Sequence, residues 1–415
     1  MRLSRCLLAE LRSRPKPSCS YEYKHPWLRG LKMAQLTEIA QATGIRSAGP
    51  KDPLSERLDQ ELQTWEHASA GVAEHGRSGL PRGPQLTSTD FARGMSILSI
   101  DMGIKNLAYT HLIVPGKDRQ REGTNPLPIL NAWRRIDVSR LPDESQLSSA
   151  DALSTPTFLD HIFSPLTSTV AAEDEEIDSP ILIQDDEFWP LALAPRAYTL
   201  VSALLEAYKP THVLLERQRF RTNRATSVFE WTLRVGVFEG MLYSTFLALA
   251  RERGGSPPLV VPIEPPRVAR YLAQKTQSSK VEKKSKDGKV KKLNTRETKK
   301  MKIDLVGSWL ASSTRPSSHH SPKLEIGRDE LLHRWIDVYL SKWSGSGKGS
   351  RRRGGSKKDT GKGQDAVWHG VPKLDDLADC LVQGVTWLDW MRMRDRLARE
   401  GSSVVAPNKT SKKSG

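Results

Sequence analysis

Residues 97–101, Ile-Leu-Ser-Ile-Asp, restrict the possible folds more than any other stretch of the chain. Ile97, Leu98 and Ile100 have the apolar, partly β-branched character of a strand buried on both faces. Met102-Gly103 then turns the chain into a second apolar segment, Leu107 to Val114. Asp101 thus stands where a core strand emerges. A carboxylate in that place costs free energy unless a positive charge lies against it, and a divalent cation is the usual one. Taken alone, Asp-x-Gly after a strand is more often an ordinary turn cap.

Two distant stretches repeat the pattern. Thr211 to Glu216 is another short β-type run ending on an acid, and Leu374-Asp375-Asp376-Leu377-Ala378-Asp379 opens an apolar-periodic helix. On that helix Asp376 and Asp379 share a face at i,i+3, and Asp375 pairs with Asp379 at i,i+4; the sequence does not choose between them. Several carboxylates crowded together repel one another, so such a cluster calls for bound cations. Mg²⁺ takes oxygen ligands, which suits acids without nearby His or Cys. Two ions roughly 3.5–4 Å apart would activate a water and stabilise the leaving 3′ oxygen in phosphodiester cleavage. The bland reading of Asp375-Asp376 is a helix cap followed by a first-turn acid.

Charge points to the partner. Lys and Arg number 64 against 48 Asp and Glu, a formal net charge of +16, and such a surplus favours nucleic acid. Cys6, Cys19 and Cys380 have no metal spacing and make no disulfide framework. No apolar run reads as bilayer-spanning, and no motif calls for a small-molecule cofactor.

In chain order, residues 1–25 are Arg-rich, serine-containing and poor in acids, as a mitochondrial transit peptide is. Residues 28–66 hold two short helical patterns around Gly44-Ile45 and Gly49-Pro50-Lys51, and resemble a SAP motif at Leu36, Ile39, Gly44, Ile45, Gly49, Lys51, Leu54, Arg57 and Leu58. That resemblance makes Lys51 and Arg57 candidate DNA contacts; the plainer alternative is a helical hairpin that only packs on the main domain. Residues 67–93 read as a Gly/Ser/Pro-rich linker, and 94–398 as the catalytic domain. Within it the pattern predicts strands near 97–101, 107–114, 129–138, 211–216 and 258–263. Helices are expected near 195–208, 225–250, 265–273, 329–343 and 374–397. Insertions near 140–190, 275–302 and 343–365 read as unstructured, as does the tail 399–415.

Strand with terminal acid, meander, second strand with acid, helix, strand and terminal helix with paired acids is the order of the ribonuclease H-like fold, an α/β mixed sheet flanked by helices. Ser99 to Ala108, Glu216-Arg217-Gln218-Arg219-Phe220-Arg221 and Asp375 to Asp379 resemble the fungal mitochondrial Holliday-junction resolvases, more distant relatives of the RuvC resolvases. The resemblance implies a Mg²⁺-dependent homodimeric endonuclease of the mitochondrial matrix, with Mn²⁺ as a substitute ion. It would cut four-way DNA junctions by paired symmetric nicks. Asp101, Glu216 and Asp379 would be metal ligands together with Asp376 or Asp375. Arg217, Arg219 and Arg221 would hold phosphates, Gln218 would lie near the junction centre, and Lys105 would reach the scissile phosphate. The long apolar helix at 225–250 is the expected dimer interface, the alternative being that its apolar face is simply core. Competing expectations are a ribonuclease H-like nuclease for hybrids or duplexes, an actin-like ATPase, and a non-catalytic SAP-bearing junction-binding protein.

Overall fold

The computed structural model describes residues 21–69, 94–116, 126–141, 188–218, 229–252, 257–278, 294–314, 322–343 and 374–404. Residues 1–20 of the expected transit peptide, 405–415 of the expected tail, the linker from residue 70 and most of each expected insertion lie outside them. Residues 21–25 and 399–404 belong instead to the folded part, with Tyr21 OH and His25 N–H donating to Asp59 and Gly401–Val404 forming a 3-10 helix after the last long helix.

Six strands form one mixed sheet: β1 (Gly94–Asp101), β2 (Leu107–Pro115), β3 (Ile129–Ile136), β4 (His212–Glu216), β5 (Leu259–Ile263) and the two-residue β6 (Glu325–Ile326). Their order is β5-β4-β1-β2-β3-β6. β1, β2 and β3 make the expected antiparallel meander, and β4 and β5 return parallel to β1. This is the ribonuclease H-like arrangement anticipated from the order of elements. β6, which pairs with β3, has no period to read from sequence.

The eight α-helices among the described residues are α1 (Met33–Ala42), α2 (Lys51–Ser69), α3 (Pro190–Tyr208), α4 (Glu230–Glu252), α5 (Pro265–Ser278), α6 (Thr295–Thr314), α7 (Glu330–Lys342) and α8 (Asp375–Glu400). Alternation along β1 separates two cores. Ile97 faces α5 to α8, whereas Leu98 and Ile100 face α3 and α4. Strand residues are thus apolar on both sides, which is why β1 lacks a polar alternation.

Three expectations change. The lysine-rich stretch to 302 read as unstructured, yet α6 begins at Thr295, with Val306 and Leu310 buried against α8. α4 is long and apolar enough to cross a bilayer, contrary to the sequence reading. Its Val235, Phe238, Leu242, Phe246 and Leu249 nevertheless fill the core beneath the sheet, as in a helix of a folded domain. The third change concerns the N-terminal helical pair, which packs on the C-terminal half of α8. Leu397 joins Leu36, Leu54, Leu58 and Leu62 in one cluster, and Trp65 reaches into the main core. Gly44 adopts φ +69°, and the Trp390 ring fills the space that a side chain there would need. Arg394 Nε donates to Thr43 O at 2.9 Å and Arg267 Nη1 to Gly44 O at 3.1 Å.

Candidate active site

β1 and β4 run parallel with Ile100 opposite Leu215, so the residues that follow, Asp101 and Glu216, leave the sheet side by side. α8 crosses that end of the sheet, held by polar contacts in an otherwise apolar layer. Ser99 Oγ donates to Cys380 O at 2.8 Å, and Trp133 Nε1 donates to Leu377 O at 2.9 Å. The Gln383 amide nitrogen lies 3.2–3.3 Å from Ser99 Oγ, Ile100 O and Leu214 O, linking helix, β1 and β4. Gly384 allows the close approach: a side chain there would crowd Leu112 and Ser99. Cys380 is a small buried core residue, as its place in the apolar pattern suggested.

This bolting brings Asp379 to Asp101 and Glu216. Burial drives the Asp101 carboxyl well above its ordinary range, and the charge of Glu216, a carboxyl–carboxylate hydrogen bond with it, and Asp379 add to the rise. Asp379 is pushed up to about 6, chiefly by burial and further by Glu216 and Asp375, against the lowering influence of Lys302. Asp376 is also raised by burial and by Asp375, with Arg135 opposing. Three carboxylates from three separate elements therefore repel one another across a partly desolvated pocket.

The paired acids have basic partners that the sequence reading did not identify. Lys299 Nζ lies 2.6 Å from Asp375 Oδ2, Arg135 Nε 3.2 Å from Asp376 Oδ2, and Lys302 Nζ 3.0 Å from Asp379 Oδ1. The spacing of Met301, Leu305, Trp309 and of Val306, Leu310 was the available signal for α6, masked by the lysines around it. Asp375 is not a cap: it is the first residue of α8, and Leu374 at the cap makes no side-chain bond.

Among the described residues, no three His, Cys, Asp or Glu side chains are gathered tightly enough to hold an ion as they stand. The donor chemistry nonetheless fits Mg²⁺. It is all oxygen, carries excess negative charge, and leaves the buried Asp379 Oδ1 without a well-aligned hydrogen bond despite the nearby ammonium.

The remaining candidates are dispersed. Lys105 Nζ sits over the Phe188 ring, 4.8 Å from its centroid. The Arg217 backbone N–H donates to Ile263 O, while its guanidinium lies 4.0 Å from Glu264; Gln218 N donates to Glu239. Arg219 and Arg221 lie outside the described residues. Lys51 is exposed at the start of α2. Arg57 donates to the carbonyls of Arg46 and Ala48, at 2.6 and 3.0 Å, so it shapes the loop before α2.

The raised carboxyls have a consequence for stability. A carboxyl whose folded pKa lies above its unfolded value stabilises the fold fully below about pH 4, and that contribution is lost as pH rises through the folded pKa. In EDTA, Asp379→Asn is expected to gain on wild type between pH 4.5 and 7.5, by roughly 2–3 kcal/mol from the Asp379 shift of about two units. Thermal melts of both proteins across that range measure it; a gap independent of pH would contradict it.

Comparison with known proteins gives the family of the chain. The sequence model of the family described as mitochondrial resolvase Ydc2 / RNA splicing MRS1 matches residues 97–397. The mitochondrial cruciform cutting endonuclease 1 of Schizosaccharomyces pombe is 35% identical over 113 residues, 26% of this chain and 43% of that protein. The matched region thus spans less than half of that curated relative. Among solved structures, the yeast mitochondrial Holliday junction resolvase Ydc2 covers 90% of this chain at 19% identity with a TM-score of 0.46. RuvC of Thermus thermophilus covers 72% at 15% identity and 0.25.

Proposed function

The chain belongs to the mitochondrial resolvase Ydc2 / RNA splicing MRS1 family, and from that membership we propose that it is a divalent-metal-dependent endonuclease resolving four-way DNA junctions by paired nicks. The observation that carries this reading is the meeting of Asp101, Glu216 and Asp379, from two neighbouring strand ends and the helix that crosses them. A protein that only bound nucleic acid would have no use for mutually repelling carboxylates at the end of its core strands.

Asp101, Glu216 and Asp379 would hold Mg²⁺, with Asp375 as the fourth ligand. Asp375 is preferred to Asp376 because its charge acts on Asp379; each has a basic neighbour, the exposed Lys299 at Asp375 and the largely enclosed Arg135 at Asp376. When bound, two such ions supply the positive charge that activates water and stabilises the departing 3′ oxygen. The protein's own part is to hold the acids rigidly through Ser99, Gln383 and Trp133, and to present Arg217 beside the cut, with Arg219, Arg221, Gln218 and Lys105 as further DNA contacts. Lys51 would meet a phosphate at the start of α2, and Arg57 would keep its loop in shape.

Two strands of a junction need two active sites, and a two-fold pair matches the junction's symmetry. The homodimer would form through the face of α3 and α4 turned away from the sheet, where Leu191, Phe229, Trp231, Leu233, Val237 and Leu247 are exposed. The basic N-terminal stretch and the mitochondrial relative support a place in the mitochondrial matrix.

The testing experiment offers the full chain a mobile four-way junction, a linear duplex of the same sequence, an RNA–DNA hybrid and a folded intron RNA, in Mg²⁺. Paired nicks in opposite junction strands establish the proposal. Equal cutting of the hybrid or duplex would make it a general ribonuclease H-like nuclease. Tight binding of the RNA without cleavage of any substrate would assign it instead to the splicing branch named in the family's description. Asp375→Asn is expected to slow junction cleavage by about 100-fold and Asp376→Asn by less than tenfold, as expected for a ligand and a neighbour. Cleavage rates for the pair decide, and the reverse order would exchange their roles.

A further inference from the structure

α6 delivers its lysines to the paired acids from a well-anchored backbone. Tyr339 OH donates to Ile303 O at 3.0 Å, Trp343 Nε1 donates to Asp304 Oδ1 at 3.2 Å, and the Trp343 ring covers Gly307. Lys302 is thus fixed at its Cα by the residues that follow it, while its flexible four-carbon stem carries the ammonium to Asp379. Of the two lysines that α6 sets on the acids, Lys302 is the enclosed one: its side chain is 12% exposed, against 54% for Lys299. It points at an oxygen that no other group satisfies. An enclosed ammonium against an acid facing two further carboxylates supplies the kind of charge an ion would bring.

We propose that Lys302 is a positioning residue that doubles as the resident counter-charge of the site. It holds the Asp379 carboxylate in the metal-free protein and gives way when a divalent ion arrives. This rests on the nuclease reading above. The two positive charges compete for one carboxylate, so removing the lysine favours the ion. A lysine that merely braced the pocket would have the opposite effect, because its loss would loosen the ligands.

The test is calorimetric titration of the full-length protein with Ca²⁺ alone, comparing wild type, Lys302→Gln and Lys302→Arg. Lys302→Gln is expected to bind Ca²⁺ about tenfold more tightly than wild type, and Lys302→Arg, which keeps the charge, to stay within about twofold. Unchanged or weaker binding by Lys302→Gln would overturn the proposal while leaving the metal site intact. If wild type and variants all failed to bind any divalent ion, the metal reading itself would fall and this inference with it. A second measurement needs no substitution: mass spectrometry of wild type after brief labelling with an amine-reactive reagent. Labelling of Lys302 should rise several-fold when Ca²⁺ is added, and no change would count against displacement.

Discussion

Asp101→Asn is expected to lower junction cleavage by about 10³-fold or more, equivalent to about 4 kcal/mol of barrier, while the protein stays folded. The two halves of that result come from one cause. Asp101 is held near Glu216 and Asp379 in a pocket that disfavours its ionised form. Asparagine has nearly the same shape, donates a hydrogen bond to Glu216 as the protonated acid would, and removes one repelling charge. Stability at neutral pH in EDTA should therefore be equal to or above that of wild type. Cleavage assays and thermal melts on the same preparation check both halves. Cutting within tenfold of wild type would show that Asp101 is not a ligand. A large drop in melting temperature would mean that the lost activity reports unfolding.

Trp133→Ala is expected to cost about 3–5 kcal/mol of stability, the range for deleting a fully buried aromatic side chain. Trp133 is completely enclosed, its ring packs 5.0 Å from that of Tyr339, and its indole N–H donates to Leu377 O in the first turns of α8. The substitution removes both a central piece of core and the bond that seats the helix carrying the acids. Trp133→Phe keeps most of the volume and loses the hydrogen bond, so it should cost only about 0.5–1.5 kcal/mol, because Leu377 O keeps its place in the helix and its contact with Cys380 Sγ at 3.2 Å. Urea unfolding curves separate the two. A loss below about 1 kcal/mol for the alanine variant would mean that the β3–α8 contact relaxes without penalty.

The parts of this molecule legible from sequence are those in which one local stretch carries the whole signal. The Ile97–Asp101 strand announced itself because burial on both faces leaves a mainly apolar run, broken only by Ser99, that ends at a charge. Glu216 and the acids of α8 followed from the same logic. α6 was hidden because its first turns are lysine-rich, and their partners, Asp375 and Asp379, lie in another helix some 75 residues away, a pairing no local pattern contains. Arg135 was missed for a similar reason: on β3 it reads as an outward-facing strand residue until α8 is placed beside it. The seat of the helical pair was equally invisible. Gly44 looked like a turn glycine, and only the fold brings Trp390 over it.

That seat would give α8 the part of a measuring rod if the N-terminal helices hold DNA. The acids occupy its first turns, while Trp390 and Arg394, which grip the loop around Gly44, sit on its far half. From Asp375 to Trp390 is 15 residues, or about 22 Å at the helical rise of 1.5 Å per residue. At 3.4 Å per base pair this corresponds to between six and seven base pairs of duplex. A DNA arm gripped by the N-terminal helices would therefore be held at a set number of base pairs from the cut. That number would be set by the length of one continuous helix, α8.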